Sequence, residues 1–244
     1  MVKREGEDPS IPRAKAEHGT SLITAIREIR ELIVHGKLSP GSWILEAELT
    51  EKLNMSRTPV RAAIHWLQRE GYILEHRNAK KSRMIVAPLT QEDASELYLM
   101  IGRLEGIAGR SIAMKPAPER EGICEELQRI NERLEAISND RSGHPNEIFE
   151  NDRSLHRLVI KHGAGARLTN LHKAIEPQTE RYWRLYASSI IKDLHLSVAE
   201  HAEVIAALRA GDPLRAERGL QFNWEQGSIR LGRVIQIFGE RGSW

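Results

Sequence analysis

Residues 55–61, which read MSRTPVR, constrain the fold of this chain more than any other stretch. Ser56 is a favourable N-cap, because its hydroxyl can accept a hydrogen bond from a backbone N–H left unpaired at a helix start. Pro59 falls in the first turn, where a helix accepts proline without losing a hydrogen bond. Apolar side chains then recur at the spacing of one helix face, at Val60, Ile64 and Leu67. Gly71 suits a left-handed C-terminal cap, so the segment predicts a helix between Ser56 and Gly71.

The start of this helix presents Arg57, Thr58 and Arg61 to the outside, while its far end is held by apolar packing. Two guanidinium groups and a hydroxyl at a helix N-terminus suit phosphate oxygens and the edges of bases. We therefore interpret the segment as a DNA recognition helix.

The residues before it supply the rest of a helix-turn-helix. An apolar stripe predicts a first helix over about residues 21–35, at Leu22, Ile26, Ile29 and Ile33. A turn at residues 38–41 follows, then a very short strand at residues 44–45. A second helix is predicted over about residues 46–53, with Asn54 ending it. Two short helices joined by a tight turn, the second starting with exposed basic residues, form this motif.

Two apolar runs after the recognition helix, at residues 72–74 and 84–86, flank a basic segment at residues 76–83. This pattern predicts a β-hairpin with a basic tip. A hairpin in this position is a wing, whose Lys80 and Lys81 would reach phosphates or a minor groove. A solvated loop is the alternative interpretation, and the position beside the helix-turn-helix favours DNA contact.

Charge and composition agree with this interpretation. Residues 1–88 hold fifteen Lys/Arg and eleven Asp/Glu, a net charge of +4, whereas the remainder holds twenty-one and twenty-three, a net charge of −2. A basic N-terminal part is compatible with binding to nucleic acid. No apolar run approaches the roughly 20 residues that span a bilayer. The single Cys124 excludes an internal disulfide framework, and a reducing cytoplasm is the expected location.

The chain after residue 90 is predicted to be helical. Residues 87–90 interrupt the second strand of the hairpin, and Thr90 can cap the helix that follows. Helices are predicted over about residues 91–114, 118–139, 145–162, 166–187, 195–210 and 213–238. Gly227 is a candidate break in the last one. The fold class is therefore mainly α, a winged helix-turn-helix followed by an antiparallel helical bundle.

Asp152 and His156 stand four residues apart, so both side chains project from one face of the third bundle helix. A carboxylate and an imidazole form half of a divalent-metal site, and His201 could complete it from across the bundle. A surface pair is the alternative interpretation. Arg181 and Arg184 flank two aromatic residues and are candidates for a ligand pocket. Trp224 is expected in the core.

Residues 21–88 resemble the winged helix-turn-helix of the GntR family of bacterial transcription regulators. The resemblance rests on LSPG at 38–41, LTEKL at 49–53, SRTPVR at 56–61 and EGY at 70–72. It implies that Arg57 and Arg61 read or clamp the operator, with Thr58 and Glu48 close to the DNA. Ser56, at the same helix start, belongs to the predicted contact set. The family usually has a glycine at the wing tip, where this chain has KKS at 80–82.

The helical half resembles the FCD domain, the ligand-sensing domain of FadR-like members of the family. The matching segments are RLE at 103–105, DRSLH at 152–156 and EHAEVIAALRAGD at 200–212. The resemblance implies a metal bound by Asp152, His156, His201 and a fourth residue, which here is Asn223 in place of a histidine. An amide oxygen is a poorer ligand than imidazole for zinc or nickel and suits harder cations such as manganese. Arg103 matches a position that faces the effector in the family.

These features predict a transcription repressor controlled by a small metabolite such as an organic acid, acting as a homodimer on a palindromic operator. The predicted parts are a flexible tail at residues 1–19, a DNA-binding domain at 20–87 and an effector-binding and dimerisation domain at 91–240. Two alternatives stay open. One is an architectural DNA binder with a ligand-free bundle, and the other is a metal-dependent hydrolase, although no catalytic signature accompanies the candidate ligands.

Overall fold

The computed structural model describes residues 13–78, 81–140 and 145–242. The chain divides into two compact units, Met1–Ala87 and Pro88–Trp244. Helices dominate both units, and the first also holds a two-stranded antiparallel sheet. None of the helices in the described ranges combines the length and apolar composition that a membrane span needs.

The first unit is a three-helix cluster with a hairpin. Its elements are α1 (Arg13–Val34), α2 (Glu46–Leu53), α3 (Arg57–Arg69), β1 (Ile73–Asn78) and β2 (Lys81–Val86). The helix α1 begins at Arg13, inside the predicted tail, because residues 14–17 (AKAE) are strong helix formers. The predicted apolar face of α3 is buried against α1, with Ile29, Val60 and Leu67 fully enclosed.

The two ends of α3 differ from each other in how they are capped. Gly71 follows the helix with φ of +81°, as the left-handed cap requires. Ser56 occupies the N-cap position, but its hydroxyl makes no capping hydrogen bond, so that part of the prediction was wrong. Pro59, the third helical residue, has no backbone N–H to offer, which removes one of the two usual donors to such a cap. The Ser56 hydroxyl therefore stays exposed at the helix start.

The hairpin is longer than its apolar runs predicted. Ile73 pairs with Val86 at its base and Asn78 pairs with Lys81 at its far end, so most of the predicted basic loop is strand. Polar side chains extend the ladder, because Ser82 donates a hydrogen bond to Glu75 across it. Residues 79–80 lie outside the described residues. The strand expected at 44–45 is reduced to a single bridge between Trp43 and Ile85.

The described residues of the second unit form six long helices. They are α4 (Gln91–Ala113), α5 (Ala117–Asp140), α6 (Pro145–Gly163), α7 (Ala166–Ile190), α8 (Leu194–Ala210) and α9 (Pro213–Phe238). Thr90 caps α4 as predicted, its hydroxyl accepting from the backbone N–H of Asp93 at 3.1 Å. A single 3₁₀ turn, Ile191–Asp193, separates α7 from α8. Gly227 does not break α9, because it serves close packing against the ring of Tyr98.

Glycines bring α4 and α9 into close contact. A Cβ at Gly102 would lie 2.9 Å from Cβ of Trp224, and one at Gly109 would lie 2.3 Å from a methyl group of Leu220. Such approaches require residues without a side chain. The two helices run antiparallel, since Arg103 pairs with Glu225 and Arg110 with Glu217. This helix pair forms the spine on which the rest of the bundle packs.

Gly163, the last residue of α6, tests how tightly α6 meets α4. A Cβ there would lie 2.1 Å from the backbone oxygen of Ala108, which cannot move without shifting α4. We expect Gly163→Ala to lower the free energy of unfolding by about 1–3 kcal/mol, the usual cost of overpacking. Thermal unfolding against the wild type measures this. Gly165→Ala is the matched control, because no described atom lies within 4 Å of its Cβ, and an equal loss in both variants would contradict the interpretation.

Candidate functional site

The exposed start of α3 gathers the predicted DNA contacts. Ser56, Arg57 and Thr58 are all exposed there, and Glu48 is exposed on α2. The side chain of Arg57 has no hydrogen-bond or ion-pair partner within the described ranges. Lys80 and the side chain of Lys81 lie outside the described residues, so their predicted contacts stay predictions.

Arg61, one turn further along α3, is 64% exposed and bound to a carboxylate. Its Nε and Nη2 donate to the two oxygens of Glu46, each at 2.9 Å. The hydrogen bond from Arg61 lowers the pKa of Glu46, and the charges of Arg61, Arg57 and His65 act in the same direction. The sequence predicted Arg61 at this surface and did not predict its partner.

The hairpin adds a second basic surface. The Arg83 guanidinium lies 5.2 Å from the ring centre of Trp43, whose ring also meets His76 edge-on at 5.7 Å. Cations stack favourably on indole faces. Arg77 extends from the same hairpin and is largely exposed, 3.5 Å from Glu75. Charged side chains thus cover the hairpin as well as the helix start.

In the second unit, the structure brings together Asp152, His156 and His201, the three residues that spacing singled out. One ligand atom from each lies within 4.8 Å of the others. Nε2 of His201 is 3.7 Å from Oδ1 of Asp152, and Nε2 of His156 is 4.0 Å from Oδ2. Both imidazoles are buried and Asp152 is partly exposed, which favours a site over a chance surface pair.

Glu105 fixes the orientation of His156. This fully buried carboxylate accepts from His156 Nδ1 at 2.5 Å, from His172 Nε2 at 2.9 Å and from Trp224 Nε1 at 2.8 Å. Burial alone would raise the pKa of Glu105, but the two histidines outweigh it and lower the pKa to about 2. Burial would likewise lower the pKa of His156, and Glu105 raises it to about 9. With Nδ1 committed to Glu105, Nε2 is the atom of His156 that faces Asp152.

His201 is oriented in the same way by an amide. Asn131 donates through Nδ2 to the backbone oxygen of Val198 at 3.0 Å, so its Oδ1 faces His201 Nδ1 at 3.2 Å. Burial, and next the nearby charge of His156, lower the pKa of His201, which is therefore neutral. A neutral imidazole that donates through Nδ1 carries its lone pair on Nε2. That Nε2 is buried without a hydrogen-bond partner among the described residues, which is the state of a metal ligand.

Asn223, the residue in the fourth ligand position, is held by a charged pair. Its Nδ2 donates to Glu200 at 2.8 Å, and Arg230 binds both oxygens of Glu200 at 2.6 and 2.9 Å. Because a carboxylate can only accept, the amide nitrogen must face Glu200 and the amide oxygen must point away from it. Asn223 lines the same cavity as Asp152 and His156.

A cavity of about 90 Å³ opens beside these ligand atoms. Its lining includes the polar side chains of Asp152, His156 and Asn223 and the aromatic rings of Tyr98, Phe149, Trp183 and Trp224. Trp224, expected in the core, is instead half-buried and lines this cavity. Apolar walls with a few convergent polar groups are typical of small-molecule sites.

The predicted effector residues do not line this cavity. Arg103 is exposed on the outer face of α4, 3.5 Å from Glu225 and hydrogen-bonded to Gln221. Arg184 pairs with Glu180 at 2.6 Å, and Arg181 is buried. Their contact with an effector stays a prediction. The described basic residues that do line the cavity are Arg153 and Arg230.

Sequence reasoning missed the residues that orient the ligands. Glu105 and Glu200 were visible only as members of family motifs, and Asn131, Arg230 and His172 carried no spacing signal. Each contacts a residue that is distant along the chain. The separation is 23 positions between Glu200 and Asn223 and 70 positions between Asn131 and His201. One signal could have helped, since a charged residue on an otherwise apolar helix face needs a buried partner.

The fold and the two sites define a class of protein, a winged-helix DNA-binding regulator with a helical ligand-binding unit. Residues 24–79 match the family described as "Bacterial regulatory proteins, gntR family", and residues 96–221 match the FCD domain. The chain belongs to the GntR family of transcription regulators, in the group that carries an FCD domain.

Similar proteins support this assignment. The chain is 30% identical over 205 residues, 81% of its length and 84% of the relative's, to the "Probable D-xylose utilization operon transcriptional repressor" of Paenarthrobacter nicotinovorans. Its fold is similar to that of E. coli McbR/YncC, with a TM-score of 0.64, 18% identity, and coverage of 90% of this chain and 99% of the other. The fold is also similar to that of a GntR transcriptional regulator from Rhodococcus sp. RHA1, with a TM-score of 0.62 and 18% identity. That comparison covers 87% of this chain and 97% of the other.

Proposed function

We propose that this protein is a cytoplasmic repressor that binds a palindromic operator as a homodimer and responds to a small carboxylate. The observation that carries the proposal is the cavity in the second unit, which Asp152, His156 and several aromatic rings line, with the buried imidazole of His201 grouped with Asp152 and His156. A ligand-free architectural protein would have no use for such an arrangement. Hydrolysis is not proposed, since the relatives are named as transcription regulators.

The chemistry of the cavity supports a carboxylate effector. A cation held by Asp152 and the two histidines would supply a Lewis-acidic position for an oxygen ligand. Arg153 lies in the wall, 5.5 Å from the ring of Phe149, with its guanidinium bound to Glu176 at 2.7 Å. A planar guanidinium recognises carboxylates well. We therefore propose that Arg153 contacts the effector from the cavity wall, and contact by Arg103 stays a prediction. The effector acts by binding one state of the regulator more tightly than the other.

Selection of genomic DNA fragments tests the DNA-binding part. We expect the purified protein to recover a few short palindromic sites, and Arg57→Ala to weaken their binding by about tenfold, since a lost arginine contact removes phosphate or base recognition. Arg69→Ala is the matched control, because it removes the same charge from the opposite end of α3. Equal recovery of all fragments by wild type and both variants would contradict a specific repressor.

The homodimer is proposed from an exposed apolar face on α4 and α9. Its members lie at helical spacing: Leu99, Ile107 and Met114 on α4, with Phe222 and Ile229 on α9. On α4, Arg103 and Arg110 lie between these apolar residues and pair with Glu225 and Glu217 of α9. Large exposed apolar side chains gathered on one helix pair are typical of a protein interface. A two-fold axis would bury the same face on both copies.

We expect Phe222→Glu to convert the dimer to a monomer, because the two-fold axis would place the buried charge in both copies of the interface. Light scattering coupled to size-exclusion chromatography measures the mass. Leu171→Glu adds the same charge at an exposed leucine of α7 and serves as the control. A dimer that persists in Phe222→Glu and dissociates in Leu171→Glu would place the interface elsewhere.

The metal is proposed to bind Asp152, His156 and His201, with the Asn223 oxygen as a weak fourth ligand. We expect Asn223→His to tighten Zn²⁺ binding by about tenfold or more, since changes next to a metal commonly alter affinity by 10–100-fold. Asp152→Ala should abolish it. Titration calorimetry with Zn²⁺ and Mn²⁺ gives the affinities. Asn151→His, which adds an imidazole to the same helix as Asp152, should leave them unchanged. If Asp152→Ala binds these metals as tightly as the wild type does, the proposed metal site is wrong.

A further inference from the structure

The ion pair between Glu46 and Arg61 joins the two helices of the helix-turn-helix. Glu46 is the first residue of α2, where a negative charge is favoured by the helix dipole. Arg61 lies in the second turn of α3. The pair is two-pronged, with Nε and Nη2 each 2.9 Å from a different oxygen of the carboxylate. Two parallel hydrogen bonds fix the plane of the guanidinium as well as its position.

Stability does not explain such a pair. Glu46 and Arg61 are 28% and 64% exposed, and exposed ion pairs contribute little to the free energy of unfolding. A carboxylate beside a DNA-binding arginine also repels phosphates, so it opposes binding to the DNA backbone. Its benefit must lie in what the arginine then does.

The pair leaves one edge of the guanidinium free. Arginine has five N–H groups, and Glu46 uses the one on Nε and one of the two on Nη2. The remaining N–H of Nη2 and one N–H of Nη1 are parallel and form the end edge of the guanidinium, which is adjacent to the edge that binds Glu46. Two parallel donors match the O6 and N7 acceptors of guanine in the major groove.

We propose that Glu46 is a positioning residue that holds Arg61 so that its free edge reads a guanine of the operator. The proposal rests on the DNA-binding function argued above. Arg57 provides the contrast, because it has no fixing partner within the described ranges and suits the less directional contact with phosphate. Holding the arginine in advance reduces the rotamer freedom that is lost on binding.

The test uses the full-length protein and an operator obtained by the genomic selection. Each base pair of one half-site is replaced in turn, and each guanine is also replaced by 7-deazaguanine, which lacks the N7 acceptor. Binding is measured for wild type, Glu46→Gln, Arg61→Lys, and the double variant. Glu51→Gln is the control, because it removes the same charge from an exposed position on α2.

We expect the wild type to lose about tenfold in affinity when one particular guanine is changed, the scale of a two-pronged arginine contact. Glu46→Gln should lose most of that preference while its binding to unrelated DNA stays equal or tightens slightly. Arg61→Lys should lose the same preference, since an ammonium has no fork. The double variant should then be no worse than Arg61→Lys, as expected of residues that act as one unit.

Three outcomes would overturn the proposal. If Glu46→Gln keeps the full guanine preference, the pair is irrelevant to recognition. If Glu46→Gln tightens binding to every sequence equally, Arg61 is a phosphate contact that Glu46 opposes. If the wild type shows no sequence preference, the proposed function as a specific repressor is wrong, and so is the proposed role of Glu46. Unfolding temperatures of all variants close to wild type would show that the changes are not caused by misfolding.

Discussion

The carboxylate of Glu105 holds the helical unit together at its centre. It comes from α4 and accepts hydrogen bonds from His156 on α6, His172 on α7 and Trp224 on α9. A buried charge is costly unless it is fully paired, so four helices must meet in one arrangement for the carboxylate to be satisfied. The same contact sets Nε2 of His156 toward Asp152. Packing of the bundle and geometry of the ligand site therefore depend on a single side chain.

That arrangement is possible because α4 and α9 approach closely. Gly102 lies against Trp224, and this approach brings the indole N–H of Trp224 within 2.8 Å of Glu105, three residues further along α4. A side chain at Gly102 would push α9 away and lengthen the hydrogen bond. The cavity then lies beside this contact, with Trp224 in its wall. A residue without a side chain is thus as important to the site as the residues with polar groups.

A feature could be predicted from the sequence when the residues that form it lie close together along the chain. Helix periods, caps and breaks are local, so α2 and the bundle helices lie within a few residues of their predicted positions. Asp152 and His156 were predicted as a pair because residues four positions apart lie on the same face of a helix. Glu105 and His156 are 51 positions apart, and no periodicity connects them. At Ser56 a local signal against the cap was readable, since Pro59 removes one of the two backbone N–H groups that a capping hydroxyl can bind.

A common device operates in both units. Glu46 orients Arg61, Glu105 orients His156, and Glu200 orients Asn223, each by accepting hydrogen bonds from nitrogen. In each case the carboxylate engages one part of a planar group and leaves another part for a different partner. The carboxylate does not itself need to touch that partner, and it reduces the number of orientations that binding must select among. Where the carboxylate is largely outside the core, as that of Glu46 is, substituting it should alter selectivity for a base or a metal more than it alters the fold. Where the carboxylate is buried, as that of Glu105 is, substituting it should damage both the selectivity and the fold.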